Sequence, residues 1–259
     1  FEQCPRYFKH TVQEINSSLH HDGDEFQESF QPLNILLTKA GEEFEERVRD
    51  EILSSDEALV DLSRDAEHFS PDDDAIIEVL KSACDSPAVS TKPTILYQAS
   101  FVDRIGGWQV AGDADLILIW PTDDGAKARV IDVKSAQEEK SYHQIQAATY
   151  VDLLRRLVES SGRLESDRIE CSGGIITREA AYKPPSPDVV PSFDVDPRIT
   201  DVRRLLAPDG DLASLAEERF ENVPYQLNDK CANCAYNESC LTDAYEDGHL
   251  RLLGLSPAQ

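Results

Sequence analysis

Four cysteines constrain this chain more than any other residues in it. Cys231, Cys234 and Cys240 form C-A-N-C-A-Y-N-E-S-C near one end, and Cys4 sits in the opening F-E-Q-C-P-R-Y-F at the other. Four thiolates suffice for one soft-metal site, either an iron–sulfur cluster or zinc. If they meet, both ends are tied into one body and everything between must fold inside a closed loop. Closing a loop from Cys4 to Cys231 costs on the order of 5 kcal/mol of chain entropy. Metal–thiolate bonding contributes roughly 10 kcal/mol or more, so the site is expected to be structural first and redox-active second. Cys84 and Cys171 are left over, and Cys171, ahead of S-G-G-I-I, reads as a small buried hydrophobe.

The 259 residues suit one large domain or two small ones. Fifty acidic residues against 25 basic ones give a net charge of −25, yet 40% of residues are hydrophobic, enough to bury a core. The acid is spread along the chain, as in D-D-D at 72–74 and G-E-E-F-E-E at 41–46. It reads as a solvated acidic surface and favours a halophilic source. The rival reading is a surface that repels or mimics nucleic acid. No run reaches the roughly 18 apolar residues of a membrane span, and the first residues lack a secretory pattern. Six cysteines, half of them in one cluster, fit a reducing cytoplasm better than a disulfide scaffold. The chain has no Met and begins almost at Cys4, as a trimmed fragment would.

Periodicity predicts helix over 1–15, a polar loop over 16–31 and a long helix from Leu33 to Leu53. In that helix Phe44, Val48 and Ile52 recur every four residues. Residues 55–90 read as one or two acidic helices. Strands are expected at 94–102, 108–120 and 128–134, with P-T-D-D-G (121–125) turning the last two into a hairpin. A helix over 138–160, a strand over 172–177, a Pro-rich loop over 183–197 and helix over 198–220 follow. The order points to an α/β fold with a mixed sheet flanked by helices.

Alternate side chains of a strand share a face, so in V-I-D-V-K Asp132 and Lys134 point together. Asp115 lies in a run otherwise committed to the core, where an isolated charge is costly. The hairpin sets it on the strand next to Asp132. Two converging carboxylates offer hard oxygen ligands for Mg²⁺ or Mn²⁺, and a lysine beside them can orient water and stabilise charge on a phosphate. Taken alone, D-x-K is equally a strand-end salt bridge. Glu45 falls on the inward edge of its helix as a third candidate ligand, or as an i,i+4 partner for Arg49. His143, Gln146 and Tyr150 share one helix face, which could meet a phosphate or base, hold Lys134, or simply be amphipathic.

These residues resemble a family. C-P-R-Y-F at Cys4, G-E-E-F-E at 41–45, G-D-A-D at 112–115, I-D-V-K at 131–134, Q-A-A-T-Y at 146–150 and the terminal C-x2-C-x5-C are similar, in order and spacing, to RecB-like members of the PD-(D/E)XK nuclease superfamily. The likeness is to the iron–sulfur branch that includes CRISPR-associated RecB-like exonucleases and the AddB nuclease domain. It implies a restriction-endonuclease-like central mixed β-sheet flanked by helices, with a terminal Fe–S cluster-binding lobe. It also implies metal binding by Asp115 and Asp132, Lys134 as catalytic lysine, and Gln146 and Tyr150 as the Q-x-x-x-Y pair. Cys4, Cys231, Cys234 and Cys240 would hold a 4Fe–4S cluster. Many CRISPR-associated members have His where Glu45 stands, whereas other branches use Glu there.

The expectation is a single nuclease domain over 1–259, with an Fe–S lobe from 1–15 and 225–245 and a catalytic core over about 33–180. It would be a Mg²⁺- or Mn²⁺-dependent deoxyribonuclease, an exonuclease on single-stranded DNA ends, cytoplasmic, acting beside a helicase or CRISPR adaptation proteins. The alternative is a non-catalytic Fe–S DNA-binding or adaptor module, for which Arg155, Arg156, Arg203 and Arg204 are the only paired basic residues.

Overall fold

In the computed structural model, residues 4–10, 35–54, 58–63, 70–87, 92–178, 185–225, 227, 231, 234 and 236–248 are described. The chain divides into two compact units, one of residues 40–208 and one of 1–39 with 209–259. The loop expected over 16–31 lies outside the described residues, as do 11–15 of the first helix.

The unit of residues 40–208 is built on a six-stranded mixed sheet. Its strands run in spatial and chain order β1 (Ala58–Asp61), β2 (Thr94–Ile105), β3 (Trp108–Thr122), β4 (Gly125–Val133), β5 (Ile169–Ile176) and β6 (Ser192–Phe193). The β1–β2 and β4–β5 pairs are parallel and the other three antiparallel. Helices cover both faces. On one, α2 (Ile35–Ser54) lays Phe44, Val48 and Ile52 against Leu116, Leu118, Ile131 and Val133. On the other, α3 (Asp73–Cys84), α4 (Ser141–Ser161) and α5 (Asp196–Leu205) pack on Ile117, Ile119, Ala128 and Val130. Burying a side chain of this size contributes about 1.5–3 kcal/mol. β2 and β3 turn at Gly106, whose φ of 61° and contact with the Leu206 carbonyl leave no room for a Cβ.

The alternation of faces reverses at one level of the sheet. On β2, Ile95 and Tyr97 belong to the α2 side, but Ala99 and Phe101 to the α3–α4 side. On β3, Leu116 and Leu118 face α2, whereas Ala114 faces α3–α4. Between them lie Gln98 and Asp115, and neither takes part in the ladder that pairs Tyr97 with Leu116 and Ala99 with Ala114. Gln98 has φ 53°, and no other non-glycine residue among those described has a positive φ. A one-residue irregularity in a period-2 element exchanges the two faces, and it does so where the expected carboxylate sits.

Three expectations need correction. Residues 58–61 form a strand rather than helix, because A-L-V-D pairs in register with Thr94–Tyr97 along the open edge of β2. The helix expected over 198–220 is two, α5 and α6 (Asp211–Glu217), interrupted at P-D-G. The Pro-rich loop contains β6 and gives way to α5, which carries Pro in its first turn. Within the D-D-D run Asp73 and Asp74 are exposed as expected, but Asp72 is buried and accepts the Ser100 N–H at 2.9 Å.

The other unit contains α1 (residues 5–10), α6 and α7 (Asn237–Glu246). Arg6 is its hub. Its buried guanidinium meets Asp243 at 2.5 Å and lies over the rings of Tyr225 (3.8 Å) and Phe220 (4.8 Å). His10 stacks on Tyr236 at 4.1 Å, and Leu227, Cys240 and Ala244 form a small apolar cluster. Among the described residues no helix is long and apolar enough to cross a membrane.

Candidate active site

The β3–β4 ladder runs from the turn to the pair Leu116–Ile131 and stops there. Asp115 and Asp132 are next in line, where the strands part. Asp115 bridges the gap, its Oδ2 accepting the Val133 N–H at 2.6 Å. Asp132 is 2% exposed, and neither of its carboxylate oxygens accepts a hydrogen bond of good geometry. The Lys134 ammonium touches Oδ1 at 2.9 Å, a charge contact outside hydrogen-bond alignment. The backbone of Lys134 is itself fixed, since its N–H donates to Ile176 O at 2.8 Å and prolongs the β4–β5 pairing beyond β4.

Electrostatics bind this group together. Burial pushes Asp132 up to about 7; Lys134 opposes that rise, and Asp115 and Glu45 reinforce it. Burial likewise raises Asp115, against the pull of Lys134 and the Val133 N–H. Burial alone would lower Lys134, but Asp132, Asp115 and Glu45 outweigh it and hold its ammonium charged. Glu45, half-buried on α2, therefore belongs to the same field. Arg49, the alternative partner for Glu45 one turn away, donates to the strand residue Asp61 at 2.6 Å.

Gln146 and Tyr150 approach from α4. Burial and the Asp115 carboxylate push the Tyr150 phenol up to about 12, eased by a hydrogen bond with Gln146. Its hydroxyl occupies the space above Gly112, where a Cβ would lie 2.5 Å from it. The G-D-A-D glycine thus leaves room for a tyrosine, a role its motif alone did not disclose. His143 is buried, and its Nδ1 accepts the Lys140 N–H at 3.2 Å, capping α4. Burial, with Lys134 and Lys140 nearby, lowers its pKa, so the imidazole is neutral with its proton on Nε2.

The structure therefore brings Glu45, Asp115, Asp132, Lys134, Gln146 and Tyr150 into one neighbourhood. Among the described residues, no three His, Cys, Asp or Glu side chains form a ready-made metal cage. The donor chemistry nevertheless fits a hard divalent cation, because both Asp132 oxygens are buried without a hydrogen bond beside a second carboxylate.

Sequence reasoning missed Asp152, which is fully buried on α4 and clamped by Arg203 (2.5 Å) and Arg156 (3.4 Å). Its place on the inner face of the helix was the available signal. Arg155 pairs with Asp196 and Arg204 with Asp201. All four arginines expected to offer a basic DNA-binding surface are thus matched by carboxylates.

The cysteine set lies in the unit of residues 1–39 and 209–259. No cysteine of the chain is in a disulfide. Burial raises Cys234, which also senses Cys231 and Cys4. Burial raises Cys240 too, against a hydrogen bond from Arg6, and Cys4 and Cys234 add to the rise. The four thiols are thus neighbours, and their softness suits iron–sulfur or zinc, although they are not drawn into a metal-holding cage.

Comparison with known proteins adds a family. The sequence model of the PD-(D/E)XK nuclease superfamily matches residues 1–241. No curated protein matches. Among solved structures, the crystal structure of SSO0001 shares 13% identity, covering 89% of this chain and 95% of that one, with a TM-score of 0.27; so low a score carries no argument.

Proposed function

The chain belongs to the PD-(D/E)XK nuclease superfamily, whose members are generally metal-dependent nucleases, and on that footing we propose that it is a Mg²⁺- or Mn²⁺-dependent deoxyribonuclease acting as an exonuclease on single-stranded ends. The observation that carries the reading is Asp132: a buried carboxylate with no aligned hydrogen bond, between Lys134 and Asp115. Asp115, Asp132 and Glu45 would hold the cation. A divalent ion there supplies Lewis acidity toward a phosphoryl oxygen and a more acidic water. Lys134, kept charged by three carboxylates, orients the attacking water and stabilises charge developing on the phosphate. Tyr150 stays protonated at neutral pH, and with Gln146 it contacts the substrate strand.

Cys4, Cys231, Cys234 and Cys240 are proposed to hold a 4Fe–4S cluster of structural purpose, supported by their soft donor set and mutual proximity. The cellular setting proposed is cytoplasmic, beside a helicase or CRISPR adaptation machinery. Arg155, Arg156, Arg203 and Arg204 each contact a carboxylate, which reduces the positive charge that the alternative adaptor reading needs on that surface. Labelled single-stranded DNA incubated with Mn²⁺ at high salt tests the activity. The unaltered chain should degrade it and Lys134→Ala should not; equal cutting by both removes the active-site assignment.

A further inference from the structure

In a chain of net charge −25 many cations are held by acids. Arg49, Arg155, Arg156, Arg163, Arg203 and Arg204 all face carboxylates. Lys140 and Arg178 have no carboxylate partner among the described residues, and both flank the site. Arg178 follows β5, and its N–H donates to Ala136 O at 3.1 Å, two residues past Lys134. Lys140 precedes α4, near enough to Lys134 that both press on His143. Lys81 and Arg104 also lack an acid, but they lie in the last turn of α3 and at the hairpin end of β2, whereas Lys9, Arg129 and Arg168 donate to backbone carbonyls and Arg47 lies over the Phe44 ring at 5.4 Å.

Beside Lys140 stands an aromatic. Tyr142 is 42% exposed, with the Lys140 ammonium 5.9 Å from its ring centre and the His143 ring packed on it in a T-shaped arrangement, 4.3 Å between ring centres. Packing against buried His143 thus sets the pose of Tyr142, while a large part of the side chain stays exposed to solvent. Unpaired bases stack on such rings, and a cationic margin follows the phosphates. Bases inside a duplex stack on one another and present only their edges.

We propose that Tyr142, Lys140 and Arg178 form the entry track for a single nucleic-acid strand, with Tyr142 stacking a base and the two cations meeting flanking phosphates on the way to Lys134. The proposal rests on the nuclease reading for its direction, but it is a statement about binding. Glu138 and Glu139 share the connecting segment, and Glu139 is engaged by Gln144 at 2.6 Å, so the track is narrow rather than broadly basic.

Anisotropy titrations with a labelled oligo-dT and a hairpin duplex, in Ca²⁺, test it. Tyr142→Ala should weaken oligo-dT binding about tenfold and leave duplex binding nearly unchanged, with Tyr142→Phe close to the unaltered chain. Removing Lys140 and Arg178 together should lower the slope of log affinity against log salt by about 1.4, the figure for two phosphate contacts to a single strand. Oligo-dT binding unaffected by Tyr142→Ala overturns the proposal, as does equal loss on duplex, or no binding by the unaltered chain. An unaltered chain that binds through Tyr142 but does not cut in Mn²⁺ removes the nuclease reading and leaves the track standing. A chain that cuts yet binds independently of Tyr142 does the reverse.

Discussion

The Asp115 carboxylate accepts the backbone N–H of Val133 at 2.6 Å, so one side chain both closes the gap between β3 and β4 and faces the buried Asp132. The two roles separate on substitution. Asp115→Asn keeps an oxygen for that N–H and should leave stability within about 1 kcal/mol while abolishing Mn²⁺-dependent cutting. Asp115→Ala strands the N–H and should cost about 1–3 kcal/mol in urea unfolding as well.

Asp132 makes the metal-free protein sensitive to pH. Its folded pKa, about 7, lies above the ordinary 3.8, so the folded state holds a proton that the unfolded chain releases. Its contribution to stability is complete below about pH 4 and declines by up to about 1.4 kcal/mol per pH unit until pH 7. Urea unfolding in EDTA should show this decline, and Asp132→Asn should remove it. Cation binding displaces the same proton, so Mn²⁺ affinity should rise with pH up to about 7 and then level off.

Gly112 and Tyr150 should be energetically coupled. Gly112→Ala sets a methyl against the hydroxyl, costing about 1–3 kcal/mol and reducing activity as the ring shifts. In a Tyr150→Phe background the hydroxyl is gone and the same substitution should cost less than half as much. Additive losses in the double-mutant cycle would show that the ring has room to move.

Gln98 stores strain beside Asp115. With φ at 53°, Gln98→Gly should gain about 0.5–1 kcal/mol of stability in urea unfolding, and Gln98→Val should lose more than that. An unchanged midpoint for the glycine variant would mean that the backbone there is not strained.

Anaerobically purified protein should be brown and carry about four iron and four sulfide per chain. Serine at Cys4, Cys231, Cys234 or Cys240 should remove most of the iron, whereas Cys84→Ala and Cys171→Ala should keep it. Zinc in place of iron would overturn the assignment.

The central strands and the α4 helix were legible because hydrophobic periodicity reports burial directly. Asp115 and Asp132 could be singled out as acids in runs committed to the core. β1 was not legible, since four residues between acidic flanks become a strand only when an open edge of β2 accepts them. The pairing of arginines with distant carboxylates, such as Arg203 with Asp152 across 51 positions, leaves no periodic trace either.

By itself, then, the sequence determined which residue types lie where: thiols at both ends, acids and a lysine on neighbouring strands, an apolar stripe on each covering helix. Local periodicity suffices for that. The tertiary structure alone decided that the sheet changes face at Gln98 and Asp115, that Asp132 is buried with no aligned hydrogen bond, and that Gly112 yields its space to Tyr150. Each depends on contacts between segments far apart in the chain, and the energy of a buried charge is set by everything that surrounds it.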